Sequence, residues 1–113
     1  MNTIKIYFYA TPRGKEPFSE WYDDLDKQAR LIIRNRLDRI EIGNFGDAKV
    51  IKGGEGIWEL RIDHGPGYRL YFGKQGSMII ILLTGGDKKS QSKDIERAIK
   101  YWIEWKDKKW KEN

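Results

Sequence analysis

Apolar and polar residues alternate with a period of two along three short segments, and this pattern predicts half-buried β-strands. The segments are Thr3–Tyr9, Ile57–Asp63 and Tyr68–Phe72. A fourth segment, Met78–Leu83, is continuously apolar. A strand whose two faces are both apolar is buried on both sides, so this segment is predicted to be a central strand that needs cover above and below.

The second and third strands are predicted to form a hairpin, and its register decides which side chains meet. Their apolar sides must face the same core, because a slip by one residue would expose one of them to water. A three-residue loop, Gly65–Gly67, gives such a register. Arg61 then lies opposite Tyr71, and Asp63 lies opposite Arg69, on the face away from the core. We therefore expect Arg61 and Arg69 to be diagonal neighbours.

The helical spacing of other apolar residues predicts three helices, one from Pro17, one over Gln28–Ile42 and one from Ser92. The glycine-rich segment Asn44–Gly56 is predicted to be irregular. The expected fold class is α+β, with a mostly antiparallel four-stranded sheet, an N-terminal helical hairpin on one face and a C-terminal helix. That last helix, or a partner protein, must cover the second face of the central strand.

The composition indicates a single domain over residues 1–113 with a basic surface. Hydrophobic residues make up 39% of the chain and charged residues 35%, and the formal net charge is +5. This excess favours a polyanionic partner or a protein with an acidic binding segment. With no cysteine and one histidine, disulfides and cysteine–zinc sites are excluded, and we expect neither a metal nor another cofactor. Without a long apolar run or a signal-peptide pattern, we expect a cytoplasmic protein that does not bind membranes.

Three basic residues of the strand region are not needed for the core, namely Arg61, Arg69 and Lys88. A tight turn at Gly85–Gly86 would bring the lysine to the sheet face that carries the arginines. Arginine suits phosphate because its planar fork matches two phosphate oxygens. An ordinary alternative is that Arg69 only pairs with Asp63 across the strands, which would contribute under about 1 kcal/mol.

Two stretches together resemble a known family. IWELRIDHGPGYRLYF, followed by LLTGGDKKSQSKDIERA, is similar in order and spacing to the RelE/ParE toxin superfamily, in its HigB-like or Gp49-like branch of addiction module killer proteins. The resemblance implies a toxin of a type II toxin–antitoxin pair, and many relatives are endoribonucleases that cut messenger RNA, often on the ribosome. Arg61, Arg69 and Lys88 match the family's basic positions, so the resemblance implies that they are catalytic.

The resemblance also implies partners. A cognate antitoxin, commonly with a helix-turn-helix DNA-binding domain, would neutralise the toxin, and operator DNA would be bound only through it. Trp105 and Trp110 are expected to dock on this protein or on the antitoxin rather than to stack on bases. Two alternatives stay open: ParE-like relatives inhibit DNA gyrase without cutting RNA, and a catalytically inactive chain would still bind an antitoxin as a regulator.

Metal-independent RNA cleavage needs a base for the 2′-hydroxyl, cations for the phosphorane and an acid for the 5′-oxygen. The lysines at 88 and 89 could move protons, because neighbouring cations favour the neutral amine. Histidine titrates in a suitable range, but His64 lies at the edge of the turn on the apolar side, where it could simply pack near Tyr68. Four further residues are expected to contact RNA: Lys52, Tyr71, Lys89 and Gln91. The chain ends in a lysine-rich helix, without the histidine or tyrosine that several branches of the superfamily use near this end.

Overall fold

Five strands form one mixed sheet with helices on both of its faces. The computed structural model describes residues 3–112, and side chains as far as residue 108. In chain order the elements are β1 (Lys5–Phe8), α1 (Pro17–Asp23), α2 (Lys27–Glu41), β2 (Ala48–Val50), β3 (Trp58–Ile62), β4 (Tyr68–Gln75), β5 (Ile79–Asp87) and α3 (Gln91–Glu112). The strand order is β1-β5-β4-β3-β2; β1 runs parallel to β5, and the other neighbouring strands are antiparallel. Among the described residues, no helix is long and apolar enough to cross a membrane.

The α+β class is confirmed, but the predicted four-stranded sheet is wrong. The additional strand is β2, which lies within the segment predicted to be irregular and pairs with β3 at the sheet edge. A strand of three residues is too short to show a two-residue period, so the pattern of apolar residues does not reveal it. The predicted helical-hairpin arrangement is not matched exactly either; α1 has seven residues, α2 has fifteen, and residues 24–26 connect them.

Local interactions fix where α1 and α2 begin and where α2 ends. Pro17 occupies the first turn of α1, where its missing N–H costs no helical hydrogen bond. The Asp26 side chain accepts a hydrogen bond of 2.8 Å from the backbone N–H of Ala29 and so caps the start of α2. Beyond α2, Gly43 has a φ of 92°, in the left-handed region that commonly ends helices.

Each face of the sheet carries its own apolar core. The face covered by α1 and α2 includes the fully buried side chains of Ile33, Ile40, Leu60, Leu70 and Phe72. On the opposite face, Ala98 and Trp102 of α3 pack on β5. The central strand is therefore buried on both sides as predicted, and α3 supplies the second cover. Trp105 stacks on Trp102, with ring centroids 5.3 Å apart, whereas the side chain of Trp110 lies outside the described residues.

The β3–β4 hairpin has a different register from the predicted one. Arg61 lies directly opposite Arg69, so the connection between the paired strands is the five-residue segment Asp63–Gly67 rather than a three-residue loop. Because the difference amounts to two residues, each side chain keeps its predicted face. The predicted partners are wrong: Asp63 lies beyond the paired residues rather than opposite Arg69, and Arg61 is not opposite Tyr71.

A β-bulge in β5 sets the face on which the end of that strand lies. The pairing of β4 with β5 shifts between Tyr71 and Phe72, which leaves Leu83 as the extra residue on β5. A bulge changes the direction in which the following side chains point. As a result, Gly86 lies on the α3 face, opposite Arg69.

Candidate functional site

Two rows of residues cross β3, β4 and β5 on the α3 face, near one end of the sheet. The outer row consists of Arg61, Arg69 and Gly86, and the inner row consists of Glu59, Tyr71 and Thr84. The first turns of α3 lie over both rows, because Gln91 reaches the inner row and Asp94 reaches the outer one. Charged and polar side chains from three strands and one helix therefore meet here.

Arg61 and Arg69, which we call the arginine pair, are directly opposite each other on neighbouring strands. Residues paired in this way have Cα atoms about 4.5–5.5 Å apart, and like charges at this separation destabilise a sheet. The Arg61 side chain is 39% exposed, and its Nε donates a hydrogen bond of 3.1 Å to the buried Glu59 carboxylate. The guanidinium of Arg61 is thus fixed at Nε by Glu59, while the side chain remains partly open to solvent.

Arg69 lies deeper and is only 9% exposed. Its Nη1 donates to the backbone carbonyl of Tyr68 at 3.2 Å, and its Nε has no hydrogen-bond partner among the residues that the structure describes. A buried donor left without a partner costs about 1–3 kcal/mol of stability. The Nε–H of Arg69 is therefore left to donate to an anion, which would also offset the buried charge.

Lys88 follows β5 directly and is exposed. A Cβ atom on Gly67 would lie 3.3 Å from Nη1 of Arg69 and 3.5 Å from Cβ of Lys88, which makes these residues close neighbours. Lys89 is exposed in the same turn. The structure thus brings the three residues expected to be catalytic to one end of the sheet, with a fourth cation beside them.

Gly85 and Gly86 lie inside β5, so the turn predicted at these glycines is wrong. A Cβ atom on Gly85 would come within 2.3 Å of the Trp21 ring, and one on Gly86 within 1.8 Å of the Asp94 carboxylate. Both glycines are therefore required for close packing on opposite faces of the strand. The bare backbone at Gly86 lets the start of α3 rest against β5, next to Lys88.

A buried carboxylate lies at the centre of the site, and the sequence pattern did not single it out. Glu59 is 0% exposed; one oxygen accepts from Arg61, and the other accepts from Nε2 of Gln91 at 2.8 Å. Burial alone would raise the pKa of the Glu59 carboxyl, but hydrogen bonds from Gln91 and Arg61 outweigh burial and hold the pKa below its ordinary value. Glu59 therefore stays charged at neutral pH. Gln91, expected to bind RNA, has its amide nitrogen engaged here.

Three other residues proposed from the sequence are not placed to act on RNA at the arginine pair. Tyr71 is 0% exposed beneath α3, so it cannot stack on a base; burial, followed by the charge of Glu59, also raises the pKa of its phenol. Lys52 lies in the turn before β3, at the end of that strand away from the arginine pair. His64 stacks on Tyr68, with ring centroids 6.5 Å apart, on the side of the sheet that α1 and α2 cover.

A groove of about 500 Å³ opens beside the arginine pair, with Gly86 in its wall. Its other lining residues include Lys15, Trp21, Asp94, Arg97 and Tyr101. Burial raises the pKa of the Asp94 carboxyl, although hydrogen bonding to the Ser90 hydroxyl and the charge of Arg97 act in the opposite direction. Within the described part of the chain, no group of three or more His, Cys, Asp or Glu side chains is placed to hold a metal ion.

Comparison with known proteins places the sequence in a family. The profile of the phage-derived protein Gp49-like family (DUF891) matches residues 20–102, which is most of the chain. The chain belongs to the Gp49-like family. An uncharacterized protein of Haemophilus influenzae is 46% identical to it over 82 residues, which are 72% of this chain and 81% of that protein.

The Gp49-like family is of the RelE/HigB-like toxin type and is associated with the toxins of toxin–antitoxin systems. The resemblance seen in the sequence is confirmed at this level. A toxin of this type has, in general, an antitoxin as its partner. The matched residues include the arginine pair, Glu59, Lys88 and Gln91, so the whole cluster lies within the part of the chain that defines the family.

The stability of this Gp49-like chain should fall in acid partly because of Glu59. A carboxyl whose pKa is lowered on folding adds stability above its ordinary pKa, and that contribution is lost as the pH falls through the lowered value. Glu59→Gln should therefore flatten the acid side of a plot of unfolding free energy against pH. Glu96→Gln, an exposed change on α3, is the matched control, and an equal slope in the two variants would contradict this prediction. Asp94, whose pKa is raised, makes the opposite contribution to the pH dependence of stability, and it does so equally in both variants.

Proposed function

We propose that this Gp49-like toxin binds messenger RNA at the arginine pair and cuts it in the cytoplasm without a metal ion, either free or on the ribosome. The observation that carries the proposal is the arginine pair itself. Two arginines lie directly opposite each other on neighbouring strands, Arg69 has a buried Nε without a partner in the described structure, and Lys88 is close to Arg69. An RNA phosphate between these cations would relieve their repulsion and offset the buried charge.

The proposed reaction uses the RNA's own 2′-hydroxyl as the nucleophile. A base removes the 2′ proton, the 2′-oxygen attacks phosphorus, and the bond from phosphorus to the 5′-oxygen breaks as an acid protonates that oxygen. The products are a 2′,3′-cyclic phosphate and a 5′-hydroxyl. Arg61 and Arg69 stay protonated, so their role is to stabilise the negative charge of the phosphorane. Lys88, exposed and next to Arg69, is our candidate for a proton transfer.

The surroundings of the arginine pair suit a flexible polyanionic strand. Lys89 extends the positive charge on one side. On the other side lies the groove past Gly86, where the Trp21 and Tyr101 rings suit the bases of single-stranded RNA. Lys15 and Arg97 in its wall suit phosphates, whereas Glu20, Asp87 and Asp94 of the same wall repel them. We further propose that a cognate antitoxin with a helix-turn-helix domain blocks this basic surface and links the toxin to operator DNA.

Binding of single-stranded RNA should weaken as salt rises. Three phosphate contacts, from Arg61, Arg69 and Lys88, imply a slope of about −2 in log affinity against log salt, or a loss of roughly twentyfold between 50 and 200 mM. Lys88→Ala should make that slope shallower by about 0.7. The control is Arg34→Ala, because Arg34 is exposed on α2 and pairs with Asp38 at 3.8 Å; its slope should equal that of the wild type. Affinity that does not change with salt would contradict phosphate binding at this surface.

A further inference from the structure

We propose that Glu59 is a positioning residue, which holds the guanidinium of Arg61 and the side chain of Gln91 in the orientation that receives an RNA phosphate. The inference rests on the proposed function, because it concerns the same site. Glu59 itself is buried and does not touch the substrate; it acts through the two side chains that it holds.

The two carboxylate oxygens of Glu59 have different partners on different elements. One oxygen accepts from Nε of Arg61, two residues along β3, at 3.1 Å. The other accepts from Nε2 of Gln91, the first residue of α3, at 2.8 Å. A carboxylate that is 0% exposed is tolerated only when its oxygens are paired in this way. Glu59 therefore joins the arginine pair to the start of α3.

This contact fixes the plane of the Arg61 guanidinium. Hydrogen bonding at Nε holds the inner edge of the group, while the partly exposed outer part with its two Nη atoms remains able to bind two phosphate oxygens. Without the carboxylate, repulsion from Arg69 directly opposite would turn Arg61 towards solvent. The negative charge of Glu59 thus offsets the repulsion within the arginine pair and keeps Arg61 in place before RNA binds.

Glu59→Gln tests this role because it keeps the shape of the side chain and weakens its ability to accept hydrogen bonds. Glutamine has no charge and only one acceptor oxygen, so Arg61 keeps at most a hydrogen bond to a neutral amide, which is weaker than its bond to a carboxylate. We expect the rate of RNA cleavage to fall by roughly 10–100-fold, as a misplacement of about 1 Å in a catalytic group can cause. The loss should not add to that of Arg61→Ala: the double variant should be no slower than Arg61→Ala alone.

A second measurement reports on Arg61 directly and does not require RNA. In the wild type, the Nε–H of Arg61 should give a hydrogen-bonded NMR resonance that exchanges slowly with water. In Glu59→Gln that proton should exchange on the order of tenfold faster, the factor that loss of a hydrogen bond to a charged group supplies. Ile81→Val, a core change on the same face of the sheet, is the control for general loosening, and it should preserve both the resonance and the cleavage rate.

The outcomes separate the inference from the proposed function. If Glu59→Gln cleaves RNA at the wild-type rate, or its loss adds fully to that of Arg61→Ala, Glu59 does not act through Arg61. An unchanged Arg61 resonance in Glu59→Gln would overturn the inference as well. If the wild-type protein binds and cuts no RNA, the proposed function fails, and the resonance then still decides whether Glu59 holds Arg61.

Discussion

Replacing Arg61 or Arg69 by alanine should lower RNA cleavage by on the order of 10²–10³-fold, which is the usual cost of removing one preorganised contact to a developing negative charge. The fold should persist in both variants. Arg61→Ala takes away one partner of the buried Glu59 carboxylate and should lower the unfolding temperature. Arg69 carries a buried charge whose Nε has no partner in the described structure, so its removal leaves little unpaired. Lysine at either position should restore little activity, because a point charge cannot copy the two-pronged contact of a guanidinium with phosphate.

The measurement is growth arrest in cells beside thermal unfolding of each purified variant. Arg34→Ala, on the opposite side of the molecule in α2, is the matched loss of one arginine and should keep full toxicity. If the Arg61→Ala, Arg69→Ala double variant still arrested growth fully, the arginine pair would not be the active site.

Alanine at Gly85 should lower the stability of the fold strongly while it leaves the arginine pair intact. The new Cβ would lie 2.3 Å from the Trp21 ring, within a packed core between α1 and β5. Overpacking of this kind costs about 1–3 kcal/mol of unfolding free energy and sometimes more. Trp21→Phe makes room for the methyl group, so the Trp21→Phe, Gly85→Ala double variant should be more stable than the sum of the single effects, by about 0.5–3 kcal/mol.

Urea unfolding of the four proteins in this cycle measures the coupling. Gly53→Ala is the control, because a Cβ atom on Gly53 would meet no other residue within 4 Å, apart from its chain neighbours, and its φ is 74°. Its loss, roughly 1–2 kcal/mol, comes from backbone strain alone, and Trp21→Phe should not relieve it. Strict additivity between Gly85→Ala and Trp21→Phe would show that the ring does not pack on this glycine.

The alternation of apolar residues predicts the faces of the sheet better than it predicts the partners across it. A strand has a period of two, so an error of two residues in the hairpin register leaves every side chain on its correct face. For this reason the sequence could place Arg61 and Arg69 on one surface while pairing Arg69 wrongly with Asp63. The connection Asp63–Gly67 contains several residues able to turn, and its effective length could not be read from the pattern.

Other features depend on contacts between distant parts of the chain. Glu59 looks like a solvent-facing residue in the alternating pattern, and only the approach of Gln91, 32 residues later, makes it a buried partner. Tyr71 shares that face and looks equally available until α3 covers it. The bulge at Leu83 lies inside a continuous apolar run, where neither face is marked by polar residues. The fold class and the shared location of the three basic residues were therefore predictable, whereas the residues that pack around them were not.

Cleavage of a defined messenger RNA by the purified protein, with and without ribosomes, tests the central claim most directly. A matched RNA should carry a 2′-deoxy nucleotide at the cut site. We predict that the wild type cuts the first RNA, leaves a 5′-hydroxyl and a cyclic or 3′-terminal phosphate, and spares the deoxy RNA, and that the Arg61→Ala, Arg69→Ala variant cuts neither. The contradictory result is a protein that arrests growth and blocks supercoiling by DNA gyrase while both RNAs stay intact.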